Sequence, residues 1–145
     1  MVYRSFWFVI ALLLFSIGST QAASLPEDFI LLKPSEIYKG KLGEREVVRF
    51  YFTLDRTLDL VLESKTPSRT NNVYPDAVLF YPDGRVITRD WSSGEGRNFR
   101  IQRRLDAGTY VLRVEDGRGC GSLHGCPEIN RDYMIEFTVT EVSLF

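Results

Sequence analysis

Apolar and polar residues alternate with a period of two through most of the chain, which predicts β-strands rather than helices. The pattern is clearest in residues 105–114, where Tyr110, Leu112 and Val114 fall on one face and the intervening residues on the other. Gly108 precedes these positions and supplies the conformational freedom that a tight turn needs. The segment therefore predicts a turn followed by a strand with one face in a core.

Seven further segments have a strand pattern, and turn signals such as Pro82-Asp83-Gly84 separate them. They are residues 37–42, 46–54, 58–62, 77–81, 85–90, 98–103 and 133–139. Residues 77–81 are almost wholly apolar, which is typical of a central strand covered on both faces. About eight short strands without helical periodicity predict an all-β fold, an antiparallel β-sandwich. The polar stretches 63–75 and 116–131 are predicted to be long loops, where binding functions tend to lie.

The first 22 residues have the pattern of a secretory signal peptide. Arg4 precedes an apolar run, and the segment ends in small residues, with cleavage expected after Ala22 or Ala23. The run is shorter than the ~20 residues that span a bilayer, which argues against an uncleaved anchor. We therefore expect a periplasmic or secreted protein with no stable membrane insertion after cleavage.

The mature chain is predicted to have two parts. Residues 23–35 contain Pro26 and Pro34 and are expected to form an irregular lead-in across the surface of the sandwich. Residues 36–142 are expected to form the β-sandwich domain. No internal repeat or composition shift indicates a second domain.

Charge and chemistry exclude several function classes. The net charge of −1 argues against broad electrostatic binding to nucleic acid. One histidine and no G-x-S-x-G segment leave no recognisable pair of nucleophile and base, so we expect no enzyme activity. A pair of catalytic carboxylates brought together only by the fold stays open as an alternative.

Four arginines in residues 97–104 are expected to solvate a strand face or to protect an edge strand.

The two cysteines, Cys120 and Cys126, lie in one predicted loop of an exported chain, where a disulfide is the expected state. Such a bridge closes a loop of about seven residues and contributes at most ~2.4 kcal/mol. Zinc binding by both cysteines and His124 is the alternative. It supplies three ligands, whereas structural zinc sites are almost always four-coordinate.

Four residues at the ends of predicted strands are candidates for ligand binding: Tyr74, Asp76, Asp90 and Trp91. The two aromatic residues could form a platform for a sugar or a peptide, and the two acids, together with Asp83 and Glu95, could gather oxygen ligands for Ca²⁺. The alternatives are that Trp91 packs on the edge of the sandwich and that the acids are merely solvated. We expect no cofactor. Calcium, which needs six to eight oxygen ligands, is left open as an alternative.

Five segments, in chain order, resemble the bacterial pre-peptidase C-terminal domain family. They are Gly40-Lys41-Leu42, Arg49-Phe50-Tyr51-Phe52, the acid, strand and Asp-Gly turn of 76–84, the Ala-Gly-Thr-Tyr strand of 107–114, and the closing strand of 133–137. The resemblance implies a jelly-roll-like or immunoglobulin-like sandwich that accompanies secreted peptidases, with calcium-using collagen-binding modules among its relatives. This sequence contains no peptidase, and Tyr74-Pro75 stand where the family often has a second acid.

Together these features indicate an exported, non-catalytic β-sandwich module that binds a protein or a polysaccharide. A role as an accessory to a secreted peptidase acting in trans falls within this hypothesis. The alternative is a structural or assembly subunit of a cell-envelope complex.

Overall fold

The computed structural model describes residues 25–67, 73–117 and 131–141, and these residues form nine β-strands and no helix. The strands are β1 (Ile30–Leu31), β2 (Ile37–Lys41), β3 (Val47–Leu54), β4 (Leu58–Lys65), β5 (Pro75–Phe80), β6 (Val86–Asp90), β7 (Arg100–Leu105), β8 (Gly108–Asp116) and β9 (Asp132–Glu141). No helix in the described part of the chain is long and apolar enough to cross a membrane.

The strands form two sheets that pack face to face. The five-stranded sheet has the order β1-β3-β8-β5-β6, and the four-stranded sheet has the order β2-β9-β4-β7. Every strand pairing is antiparallel except that of β1 with β3. The predicted all-β sandwich is confirmed.

The structure differs from the predicted pattern at three places, one of which is the strand predicted at 98–103, found as β7 at Arg100–Leu105. The lead-in was expected to be irregular, but Ile30 and Leu31 form β1, which pairs in parallel with Phe50 and Tyr51 of β3. Leu32, which follows β1, is buried, so this end of the lead-in belongs to the sandwich. The predicted loop 63–75 is also shorter, because β4 continues to Lys65 and β5 already begins at Pro75.

The core lies between the two sheets and is built from alternate residues of the strands. Its largest fully buried strand residues are Phe50, Phe52, Leu60, Leu62, Leu79, Leu112, Tyr133, Ile135 and Phe137, and Leu42, Val73 and Phe99 join them from outside the strands. The strand residues lie on the inward faces that the period of two predicts. Burial of such a set of large apolar side chains is the main stabilising contribution to the fold.

Strand β8 is the centre of the five-stranded sheet, since it pairs with β3 on one side and β5 on the other. Gly108 begins it with a φ of 154°. The hydroxyl of Tyr110 donates a hydrogen bond of 2.8 Å to the carbonyl of Asp106, and its ring stacks on Phe52 with the centroids 5.5 Å apart. Leu112 is fully buried. Its first turn and its core residues are thus tied to the neighbouring strand β3.

Strand β7 is an edge strand of the four-stranded sheet and is rich in arginine. Arg100 and Arg104 pair across the sheet with Glu63 and Asp59 of β4, at 3.1 and 2.8 Å. Arg103 reaches the other sheet, where its Nη2 donates a 3.0 Å hydrogen bond to the hydroxyl of Thr88. These positions are consistent with the expectation that the arginines solvate a strand face or protect an edge strand.

Candidate functional site

Tyr74, Asp76 and Trp91 line one open cleft of about 360 Å³, which we call the Trp91 cleft. Strands β5 and β6 bring the acid and the indole together. Ala77 of β5 pairs with Asp90, the last residue of β6. Asp76, which precedes Ala77, is therefore close to Trp91, which follows Asp90. The remaining lining residues are Ser92, Gly96, Arg97 and Gly117. Three of the four residues predicted to bind a ligand therefore meet at one place.

Trp91 is exposed rather than packed on the edge of the sandwich, with 64% of its surface accessible. The start of its loop is fixed by Asp90, whose Oδ1 accepts hydrogen bonds of 2.9 Å from the backbone N–H groups of Ser92 and Ser93. Partial burial raises the pKa of Asp90, but these hydrogen bonds outweigh it and hold the pKa below the ordinary value. Asp90 thus shapes the loop that presents Trp91.

The other end of this loop is held by a buried network around Asn98. Its side-chain oxygen accepts a 2.9 Å hydrogen bond from the hydroxyl of Ser64, and its amide nitrogen donates to the carbonyl of Glu95 at 2.8 Å. Gly94 approaches the carbonyls of Asn98 and Phe99 so closely that a Cβ would lie 2.9 Å from each oxygen. A satisfied polar network of this kind rigidifies its surroundings, so the loop has a defined shape.

Tyr74 forms the opposite wall of the cleft. The guanidinium carbon of Arg97 lies 4.2 Å from the centre of its ring, within the range of a cation–π contact. The backbone of Tyr74 is tied to the end of β8, because Gly117 donates a 2.9 Å hydrogen bond to its carbonyl and Asp116 Oδ1 accepts one of 3.3 Å from its N–H.

Asp76 is half-buried at the floor of the cleft. Its carboxylate lies against Gly117, where a Cβ would collide with it. Burial, together with the nearby carboxylates of Glu115, Asp116 and Asp90, raises the pKa of Asp76 to about 6. The cleft therefore combines an exposed indole with an acid that titrates close to neutral pH.

A buried ion pair joins Asp116, which precedes the cleft residue Gly117, to Arg131. Arg131 Nη2 lies 2.6 Å from Asp116 Oδ2, and both side chains are almost wholly inaccessible to solvent. Arg131 Nε also donates a 2.5 Å hydrogen bond to the carbonyl of Leu42. This arrangement fixes Asp116, and through it the backbone of Tyr74.

The acidic residues near the cleft bear on the alternative of calcium binding. No group of three or more histidine, cysteine, aspartate or glutamate side chains in 25–67, 73–117 and 131–141 is placed to hold a metal ion. Asp116, the acid next to Asp76, is already paired with Arg131. The alternative of calcium binding therefore gains no support from these acids.

Other predictions lie outside the described residues. Cys120, Cys126 and the alternative zinc ligand His124 all fall between 118 and 130, and the predicted signal peptide falls between 1 and 22. The disulfide and the signal peptide remain predictions. Sequence reasoning did not identify Arg97, Asn98 or Arg131 as contributors to the site, because their partners lie far away in sequence.

Comparison with solved structures supports the fold. The pre-peptidase C-terminal domain of a collagenase from Bacillus anthracis is 12% identical, with a TM-score of 0.57 over 79% of this chain and 99% of that one. PliG from Aeromonas hydrophila, a periplasmic inhibitor of g-type lysozyme, is 13% identical, with a TM-score of 0.56 over 77% of this chain and 96% of that one. No protein family and no curated protein matches the sequence itself. The likeness at this identity is one of fold.

Proposed function

We propose that this chain is an exported, non-catalytic module that binds a protein partner through the Trp91 cleft. The observation that carries the proposal is the exposed Trp91 beside Asp76 and Tyr74, on a loop whose two ends are held by hydrogen bonds. Tryptophan, tyrosine and arginine dominate the binding energy of protein interfaces when their large side chains become buried. A tryptophan exposed to this extent contributes little to the core, so its position suits contact with another molecule.

The construction of the cleft supports binding without large rearrangement. Asp90 fixes one end of the loop and Asn98 the other, while Asp116 holds the backbone of Tyr74. A preformed site avoids part of the entropy that is lost when flexible groups become ordered on binding. The same residues form no recognisable pair of nucleophile and base, which accords with a non-catalytic role.

The two structural neighbours are consistent with this role. One is a domain of a collagenase, and the other inhibits g-type lysozyme, which is a protein. The second is periplasmic, which accords with the signal peptide predicted for this chain. These likenesses make a g-type lysozyme a suitable first partner to test, and a secreted peptidase the second.

The test compares two variants that each remove an exposed apolar side chain. Trp91→Ala alters the cleft, whereas Ile37→Ala alters β2 of the other sheet, where Ile37 is 53% exposed. The purified mature chain is titrated calorimetrically with a g-type lysozyme and is cross-linked to envelope and medium fractions, with captured proteins identified by mass spectrometry. We expect a partner whose affinity falls by about tenfold or more in Trp91→Ala and is unchanged in Ile37→Ala.

Two results would contradict the proposal. The first is the absence of any protein whose capture depends on Trp91. The second is a glycan array on which the wild type binds and Trp91→Ala does not, since the ligand of the cleft would then be a polysaccharide.

A further inference from the structure

Three arginines lie in one row across the outer face of the five-stranded sheet. Arg49 of β3 pairs with Arg113 of β8, Arg113 pairs with Val78 of β5, and Val78 pairs with Arg89 of β6. We call Arg49, Arg113 and Arg89 the arginine row. Neighbouring strands are about 4.8 Å apart, so Arg49 and Arg113 are directly opposed like charges, an arrangement that destabilises a sheet.

Most of this charge is left without a partner in the described part of the chain. Arg113 makes one ion pair, in which its Nη2 lies 2.9 Å from Glu115 Oε1, and its guanidinium carbon lies 5.8 Å from the centre of the Phe80 ring. Its Nε is shielded from solvent and has no hydrogen-bond acceptor among the described residues. Neither Arg49 nor Arg89 forms an ion pair with any residue in 25–67, 73–117 or 131–141.

The outer face of the four-stranded sheet provides the contrast within the same molecule. There Arg104 pairs with Asp59 at 2.8 Å, and Lys65 pairs with Glu136 at 2.6 Å, in both cases across neighbouring strands. The contrast covers these strand pairs only, because Lys39 and Lys41 of β2, on the same face, form no ion pair with a described residue. What distinguishes the arginine row is that Arg49 and Arg89, which lack an ion pair among the described residues, lie in one row with Arg113.

The rows on either side of the arginines differ in character. One is an apolar row contributed by all five strands, and two of its members are largely exposed, Leu31 at 47% and Val86 at 45%. The apolar row consists of Leu31, Tyr51, Val111, Phe80 and Val86. The row on the other side contains Glu115 and Asp76, which occupy opposite positions on β8 and β5. Asp76 also lines the Trp91 cleft.

We infer that the outer face of the five-stranded sheet docks an acidic segment of a partner protein, with its carboxylates on the arginine row and its apolar side chains on the apolar row. Guanidinium groups bind carboxylates through strong paired hydrogen bonds. A continuous polyanion fits poorly. Glu115 and Asp76 would repel it on one side, and the side chains of the apolar row would give it no cation or hydrogen-bond donor on the other. The inference extends the proposed function to a second surface and rests on it only in taking the occupant to be a protein.

The experiment uses short synthetic peptides that alternate acidic and apolar residues, with lysine replacing every acid in a matched set. Each peptide is titrated into the isotopically labelled mature chain, and two-dimensional NMR follows the backbone signals. We expect the acidic peptide to perturb residues of β3, β5 and β8, and the lysine peptide to leave them unchanged. In Arg49→Gln/Arg113→Gln the affinity should fall by about tenfold or more, whereas Arg104→Gln on the other sheet should leave it within about twofold.

The inference is overturned if the acidic peptide fails to perturb the outer face, or if Arg104→Gln weakens binding as much as the double variant does. It is also overturned if poly-L-glutamate or polyphosphate binds as tightly as the acidic apolar peptide, because the apolar row would then contribute nothing. Trp91→Ala should retain the affinity for the peptide. A failure of the cleft to bind a partner and a failure of the arginine row to bind the peptide are thus separately observable.

Discussion

Replacement of Asp76 by asparagine should change how the stability of the protein depends on pH. The pKa of Asp76 is raised from 3.8 to about 6, first by burial and then by the carboxylates of Glu115, Asp116 and Asp90. Since one pKa unit corresponds to 1.36 kcal/mol, the full shift corresponds to about 3 kcal/mol. Asp76 is only half-buried, and screening by solvent reduces the effect, so we expect about 1–2 kcal/mol.

The sign follows from the protons that each state binds. Between pH 3.8 and about 6 the folded protein keeps the proton on Asp76 while the unfolded chain has lost it. The contribution of Asp76 to stability therefore decreases as the pH rises through this window. Above pH 6 both states are ionised, and the folded state carries the full penalty of a charged Asp76. Asparagine does not titrate, so Asp76→Asn should be more stable than the wild type above pH 6 and about equally stable near pH 4.

Urea denaturation of the wild type and Asp76→Asn across this pH range measures the difference. Glu44→Gln removes a carboxylate that is exposed in a turn and serves as the control, which should keep the pH profile of the wild type. NMR titration of the Asp76 carboxyl carbon reports the pKa directly. Parallel pH profiles for the wild type and Asp76→Asn, or a measured pKa at or below 3.8, would refute the reasoning.

Three further sets of substitutions test the core, the buried ion pair and the predicted disulfide. Leu112→Ala removes a fully buried side chain and should lower the free energy of unfolding by about 2–5 kcal/mol in urea, whereas a loss below about 1 kcal/mol would contradict the central position of β8. Arg131→Met leaves a buried charge on Asp116 and should cost about 3–5 kcal/mol, much of which should be recovered when Asp116→Asn is added. Replacing Cys120 and Cys126 by serine should preserve the fold and cost at most ~2.4 kcal/mol. Free thiols in the exported protein would refute the disulfide.

Most of the fold follows from local sequence, and the exception has a physical reason. The period of two assigns Tyr110, Leu112 and Val114 to the core because side chains of a strand alternate between its faces. Strand β1 has only two residues, too few for any period to be visible. It forms because Leu31 and its neighbour find hydrogen-bond partners on β3, about twenty residues later in the sequence.

The candidate site could be predicted only in part. Tyr74, Asp76 and Trp91 are recognisable as polar or aromatic residues at the ends of strands, but their proximity depends on the register of β5 with β6. That register shifts at an irregularity between Leu79 and Phe80, which no local pattern indicates. The arginine row could not be predicted from the sequence. Its members belong to β3, β8 and β6, which are not consecutive in the chain and are brought together only by the order of the strands in the sheet.

The buried ion pair of Arg131 and Asp116 makes it possible to separate loss of stability from loss of binding at the Trp91 cleft. Both cysteines fall in residues 118–130, between Gly117 and Arg131, and Arg131 forms an ion pair with Asp116. Asp116 in turn holds the N–H of Tyr74, so the wall of the Trp91 cleft depends on this pair. Loss of the cysteines should then lower stability while binding at the cleft is retained, whereas loss of Arg131 should weaken binding even where the fold survives. Equal loss of affinity in both variants would show that the cysteine segment itself contacts the partner.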